Sequence, residues 1–213
     1  MKGVLVVGAG GLGAPVVRIL IDAGVRDVAV VDPDTVALEN LHRQILFTDA
    51  DVGRRKVDVV RELGVEATAV RLDATNGPAL VAGRRCVVDG TDNFADKVLL
   101  NDLCLAAGVA LVHAAAARFQ GQVLLVRPGG PCVRCLLPEP PDAATDECRV
   151  TGVFGPAAGL VAALAAAEAL RVLGGAGVPP GVVFADLGSG RLRRAGLRPA
   201  PGCRCAGAAA RAG

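Results

Sequence analysis

Gly3-Val4-Leu5-Val6-Val7-Gly8-Ala9-Gly10-Gly11-Leu12-Gly13 decides how the rest of the chain is read. Residues 4–7 are a short apolar run of the kind a parallel strand buried on both faces requires. The turn Gly8-x-Gly10-Gly11-x-Gly13 follows at once, and residues 14–23 read as a helix. Small residues in such a turn let backbone N–H groups and a helix N-terminus approach a phosphate. The stretch therefore opens a nucleotide site, but the turn alone does not name the nucleotide.

The pattern repeats outward. Residues 28–32 read as a second strand ending in Asp32, 51–63 as a helix with Val57, Val60 and Leu63 as its buried stripe, and 67–72 as a third strand. A short turn of helix is expected within 40–47. Residues 86–89 form a fourth strand that runs into Gly90-Thr91-Asp92-Asn93, followed by a helix over 94–107 and a strand over 110–114. Alternating strands and helices predict an α/β, Rossmann-like, doubly wound and mostly parallel sheet with ligands at the carboxyl ends of the strands. After residue 117 the pattern changes. Residues 120–127 alternate as an antiparallel strand, a helix covers about 155–173, and 182–187 with 191–197 form a hairpin around Gly188-Ser189-Gly190. The expected organisation is one domain over 1–207, with a nucleotide-binding half (1–117), a second half (118–207) and a tail (208–213).

Composition limits the function. The 213 residues carry a net charge of +2, which gives no reason to expect a nucleic-acid partner. Trp and Tyr are absent, so Val, Leu and Ala must fill the core. Arg191, Arg193 and Arg194 read as a solvated strand. The apolar tract 153–170 contains Glu168 and reads as a packed helix, not a membrane span. No signal peptide is visible, because the first apolar run leads straight into the glycine turn. Close cysteine pairs suit a metal in a reducing compartment rather than a secreted disulfide framework, so a cytoplasmic location is expected.

Asp32 stands about twenty residues after the glycine turn, where a carboxylate accepts hydrogen bonds from ribose hydroxyls. Asn40-Leu41-His42-Arg43-Gln44 and Lys56 follow. Arg43 is a planar donor for phosphate oxygens, and Lys56 is a mobile point charge that could reach a second phosphate. Asp92 beside a triphosphate implies an intervening Mg²⁺. This set suits expulsion of pyrophosphate from ATP better than hydride transfer.

The motifs Gly8-Ala9-Gly10-Gly11-Leu12-Gly13, Asp32-Pro33-Asp34-Thr35-Val36, Glu39-Asn40-Leu41-His42-Arg43-Gln44, Gly53-Arg54-Arg55-Lys56 and Asp89-Gly90-Thr91-Asp92-Asn93 occur in this order. Together they resemble the ThiF/MoeB/HesA family, bacterial relatives of the ubiquitin-activating enzymes, over about residues 3–207. The resemblance implies an ATP- and Mg²⁺-dependent adenylyltransferase. Its substrate would be the C-terminal glycine of a ubiquitin-like sulfur-carrier protein ending in Gly-Gly, activated for thiocarboxylate formation in thiamine or molybdopterin synthesis. It implies Gly8, Gly10, Gly11 and Gly13 at the nucleotide and Asp32 at the ribose. Asn40, Arg43 and Lys56 would meet the phosphates, with Gln44 nearby and Asp92 at Mg²⁺. Relatives usually carry an earlier helix whose arginine reaches the partner subunit's nucleotide; here the first strand starts at residue 3. A homodimer is still expected by the same analogy.

Cys132-Val133-Arg134-Cys135 is a knuckle that suits Zn²⁺, and a tetrahedral site needs two more ligands. Cys148 and the pair Cys203 and Cys205 are the later candidates, the pair being the better one because it ties the tail back. The family commonly has a second Cys-x-x-Cys, and this chain has Cys-x-Cys. The expected zinc is structural. Cys148, next to Arg149, is a candidate nucleophile or sulfur relay toward a persulfide donor. Cys86 and Cys104 read as core. Alternative functions are a non-catalytic module binding a ubiquitin-like protein, an ATP-dependent enzyme acting on a tRNA carboxylate, and a nicotinamide-dependent oxidoreductase.

Overall fold

β1 (Lys2–Val7) lies inside an eight-stranded sheet, flanked in parallel by β2 (Val28–Val31) and β4 (Arg84–Asp89). β3 (Glu66–Thr68) extends the sheet beyond β2, and β5 (Ala110–Ala117) pairs in parallel with β4. β6 (Gln120–Val126), β7 (Val182–Asp186) and β8 (Arg191–Ala195) then add antiparallel strands, so the order is β3-β2-β1-β4-β5-β6-β7-β8. The chain winds outward from β1 to β3, then returns to the other side of β1. A crevice opens at that reversal, outside the carboxyl ends of β1 and β4. The structure is a computed structural model and describes residues 2–138, 152–177 and 181–205.

Alternate residues of β1 feed two separate cores. Val4 and Val6 pack with α1 (Gly13–Asp22) and α6 (Gly155–Leu173), whereas Leu5 and Val7 pack on the face carrying α4 (Phe94–Ala107). Burial on both faces explains why the strand is apolar at every position. In α6 the fully buried residues are mostly alanines, which let the helix lie close to β5, β6 and α1. Long and apolar enough to cross a membrane, α6 instead packs as a core helix, as its sequence predicts. Its one buried acid, Glu168, takes a 2.6 Å hydrogen bond from Arg194 of β8.

Four elements depart from the sequence reading. The helix expected over 51–63 is shorter: Gly53 has φ +87°, which breaks it, and α2 is Lys56–Arg61. A 3₁₀ turn at Asp49–Asp51, capped by Thr48, precedes that break. The strand expected over 67–72 ends at Thr68, because the Val70 N–H turns back to the Thr68 carbonyl at 2.9 Å. α3 (Gly77–Val81), opened by Pro78, was not expected. The turn of helix expected within 40–47 sits slightly earlier, at Leu38–Asn40.

The antiparallel half carries a four-cysteine cluster. α5 (Val133–Leu136) bends the chain so that Cys132 and Cys135 approach Cys203 and Cys205, all four sulfurs lying within 4.8 Å of one another. Cys132 Sγ is 3.8 Å from Cys135 Sγ and 3.6 Å from Cys203 Sγ, and Cys135 Sγ is 3.4 Å from Cys205 Sγ. Thiolates at about 2.3 Å from Zn²⁺ form a tetrahedron with edges of about 3.8 Å. Disulfides, at about 2.05 Å, are excluded. The shortened Cys-x-Cys pair therefore still fits a structural zinc site. Burial opposes ionisation of Cys135, but the Ala200 N–H, donated at 3.2 Å, and the neighbouring hydrogen bonds bring its thiol down to about 7. Cys86 and Cys104 are buried in the two cores as expected.

Elemental analysis of chain purified without chelator should give one zinc per chain. Cys132→Ser should lose it and melt on the order of 10 °C lower. A metal-free, equally stable wild type would remove the site. At Gly13 an added Cβ would sit 1.8 Å from the Gly8 carbonyl oxygen, so Gly13→Ala should lower the melting temperature by about 10 °C in a circular-dichroism melt.

Candidate functional site

A cavity of about 640 Å³ lies at the carboxyl ends of β1, β2, β4 and β5. Gly8, Gly10 and Gly11 line it, with Asp32, Asn40, Arg43, Gln44, Lys56 and Asp92. Gly13 lies under the turn, fully buried against Gly8. Every nucleotide-site residue expected from the sequence except Gly13 thus faces one cavity. The turn keeps its shape because Gly8 has φ +89°, a conformation side chains disfavour.

Asp32 directly follows β2 and is fixed by two backbone donors, Ala9 N–H at 2.6 Å and Asp34 N–H at 2.7 Å. Burial raises its pKa above the usual carboxylate value, partly offset by Lys56 and those two N–H groups. Lys56 differs from the mobile charge expected. It is 4% exposed, with Nζ 2.9 Å from Asp34 and 3.8 Å from Asp32. Its place at the first turn of α2 buries the stem and leaves the ammonium among carboxylates at the cavity wall. Arg43 Nη2 donates to Asn40 Oδ1 at 2.7 Å, and its Nη1 lies 3.3 Å from His42 Nε2. That pair orders the guanidinium without charge neutralisation. Gln44 is buried on the wall, and its Oε1 has no partner among the described residues. A buried acceptor without a donor is uncommon and fits a wall that meets a ligand.

Asp92 follows β4, and Asn93 caps α4 by accepting the Asp96 N–H at 2.9 Å. Mg²⁺ is commonly held by one or two carboxylates together with substrate phosphates. Asp92 on the wall shared with Arg43 and Lys56 fits that arrangement. Arg71 reaches Asp96 at 3.2 Å, joining the segment after β3 to the start of α4 beside the cavity.

Beneath Asp92 lies a charged group that sequence reasoning missed. Asp89 is fully buried and meets Lys97 Nζ at 3.2 Å and His113 Nδ1 at 2.8 Å. Burial alone would raise the Asp89 carboxyl; the Lys97 ammonium and the His113 hydrogen bond together hold it down at about 2. Burial lowers the pKa of His113, against the opposing hydrogen bond to the Asp89 carboxylate. The local signal was slight: Lys97 reads as a helix residue, and His113 is brought opposite Asp89 only by β4–β5 pairing. Cys148 lies outside the described residues. None of the four clustered cysteines lines the cavity.

The sequence profile of the ThiF family matches residues 2–205. The SAMP-activating enzyme E1 of Haloferax volcanii is 44% identical over 179 residues, covering 80% of this chain and 66% of that protein. The sulfur carrier protein adenylyltransferase of Thermus thermophilus is 40% identical over 221 residues, covering 96% and 82%. The adenylyltransferase and sulfurtransferase MOCS3 of Aedes aegypti is 38% identical over 208 residues, and the chain spans 48% of its length. A crystal structure of E. coli MccB with ATP has the same fold, with a TM-score of 0.81 over 97% of this chain and 67% of that one, at 23% identity. A profile matched from the first strand to the last cysteine, and relatives this similar, lead to one conclusion: the chain belongs to the ThiF family.

Proposed function

We propose that this protein adenylates the C-terminal glycine carboxylate of a ubiquitin-like sulfur-carrier protein, using ATP. The observation that carries the reading is the meeting of Asp32, Asn40, Arg43, Lys56 and Asp92 on one cavity behind the glycine turn. The Thermus thermophilus relative is named for that activity, and its similarity covers 96% of this chain. The domain doing this work is residues 1–207, and it acts as a homodimer in the cytoplasm. The product feeds thiamine or molybdopterin synthesis.

Asp32 accepts hydrogen bonds from the ribose, and the glycine turn brings backbone N–H groups to the phosphates. Arg43, held by Asn40, offers its guanidinium to phosphate oxygens. Lys56 exchanges Asp34 for a phosphate, a short movement because both lie on the cavity wall. Asp92, on the cavity wall, would hold Mg²⁺, which would supply charge neutralisation for the departing pyrophosphate. The carrier carboxylate is already ionised and attacks the α-phosphorus without a general base, giving an acyl adenylate and pyrophosphate. Sulfide displaces AMP and gives the thiocarboxylate directly; a persulfide donor displaces AMP to give an acyl disulfide, whose S–S bond the Cys148 thiolate cleaves, releasing the thiocarboxylate and leaving Cys148 in a disulfide with the donor. Phe119 and Phe154, exposed and with ring centroids 5.1 Å apart, give the carrier's body an apolar surface beside the cavity residue Val153.

ATP–pyrophosphate exchange with carriers ending in Gly-Gly tests the proposal. Wild type should exchange only when carrier is present, and Asp92→Ala should lose at least about 100-fold while keeping its fold. Carrier binding without exchange indicates a binding module. Exchange driven by tRNA indicates the other carboxylate, and carrier-independent nicotinamide reduction indicates an oxidoreductase. Near-wild-type exchange by Asp92→Ala would sink the role of that residue.

A further inference from the structure

Lys97 lines the cavity, yet its ammonium is already fully engaged. The side chain is 3% exposed, and Nζ donates to the Thr91 carbonyl at 2.7 Å, the Ala114 carbonyl at 2.8 Å and the Asp89 carboxylate at 3.2 Å. An ammonium has three donors. All three are spent on the protein, so Lys97 has none to give a phosphate.

One of those bonds reaches Thr91, the residue before Asp92, and another reaches Asp89, which itself holds Thr91. The Thr91 carbonyl accepts from Lys97, and the Thr91 N–H and hydroxyl donate to Asp89 Oδ1 at 3.0 and 2.6 Å. Every polar group of Thr91 is thereby tied to one buried ion pair. On the other side of Asp92, Asn93 is fixed as the cap of α4. Lys97 also joins this turn to the end of β5 through Ala114. Asp92 thus projects into the cavity from a turn anchored on both flanks.

We propose that Lys97 is a positioning residue that sets the Thr91–Asp92 turn, so that the Asp92 carboxylate meets a Mg²⁺–nucleotide at one fixed place. The assignment rests on the adenylation reading for the identity of the ligand. Charge balance for Asp89 alone would need only a cation. Positioning needs one nitrogen that reaches Thr91, Ala114 and Asp89 together. A guanidinium supplies the charge but spreads its donors over a planar fork.

The experiment measures ATP affinity by calorimetry with and without Mg²⁺, beside a thermal melt of each protein. In wild type, Mg²⁺ should tighten ATP binding. Lys97→Arg should stay folded yet lose that tightening by at least about 5-fold, with Mg²⁺-free affinity within about 2-fold of wild type. The double variant Asp89→Asn/Lys97→Met removes both charges, which avoids leaving a buried carboxylate unpaired. It should lose the tightening by about 10-fold or more. If the double variant fails to fold, Lys97→Arg decides. Full Mg²⁺ tightening in folded Lys97→Arg or in the folded double variant overturns the positioning role and leaves the adenylation reading standing. A wild type that binds no ATP overturns both.

Discussion

Three stretches of backbone meet at the reversal of the sheet with no side chain between them. A Cβ on Gly8 would lie 2.7 Å from the Gly90 carbonyl oxygen, and one on Gly90 would lie 2.9 Å from the Gly8 oxygen. A Cβ on Gly13 would overlap that same Gly8 oxygen. The turn after β1, the start of α1 and the turn after β4 therefore share one dense point. This contact brings Asp92 to the cavity that the glycine turn opens, and it leaves space in front of Gly10 and Gly11. Binding groups from separate strands can converge there because the scaffold behind them has no room to shift.

The same convergence concentrates charge. Asp32, Asp34 and Lys56 form one group on the cavity wall, while Asp89, Lys97 and His113 form another beneath it. In both, desolvation penalises the carboxylate and a nearby lysine offsets the penalty. The outcomes differ. Asp32 is pushed up, whereas Asp89, met by Lys97 from a helix and by His113 from the neighbouring strand, is held at about 2. Buried carboxylates of one chain thus follow opposite directions according to how many donors face them.

What could be read beforehand followed local rules. The bounds of α4 were legible because Asn93 caps it and Gly108, at φ +66°, stops it. The two cysteine pairs were legible because each pair is a local bite on a metal. The beginning of α2 was not, because the stripe Val57, Val60 and Leu63 shows a helix face without showing where Gly53 breaks it. The meeting of Lys97 and His113 was not legible for a different reason. Their partner Asp89 is reached from a helix and a neighbouring strand, and no spacing within either segment encodes that meeting. Lys56 was recognised as a cation, but its burial depends on how α2 packs against the end of β2.

The cysteine cluster has a consequence for how the chain comes apart. Cys135 and Cys205 are 70 residues apart in sequence, and the stretch between them includes α6, β7 and β8. A metal joining them encloses that stretch as a ring in the unfolded chain as well, provided the thiolates stay bound. By the chain-entropy account of a cross-link, a ring of this size removes about 4 kcal/mol of disorder from the unfolded state. A proteolytic nick inside the ring would then leave one particle with two chain segments, still held by the metal until a chelator opens it. Integrity of the antiparallel half is thereby linked to thiol chemistry as much as to the unbroken peptide chain.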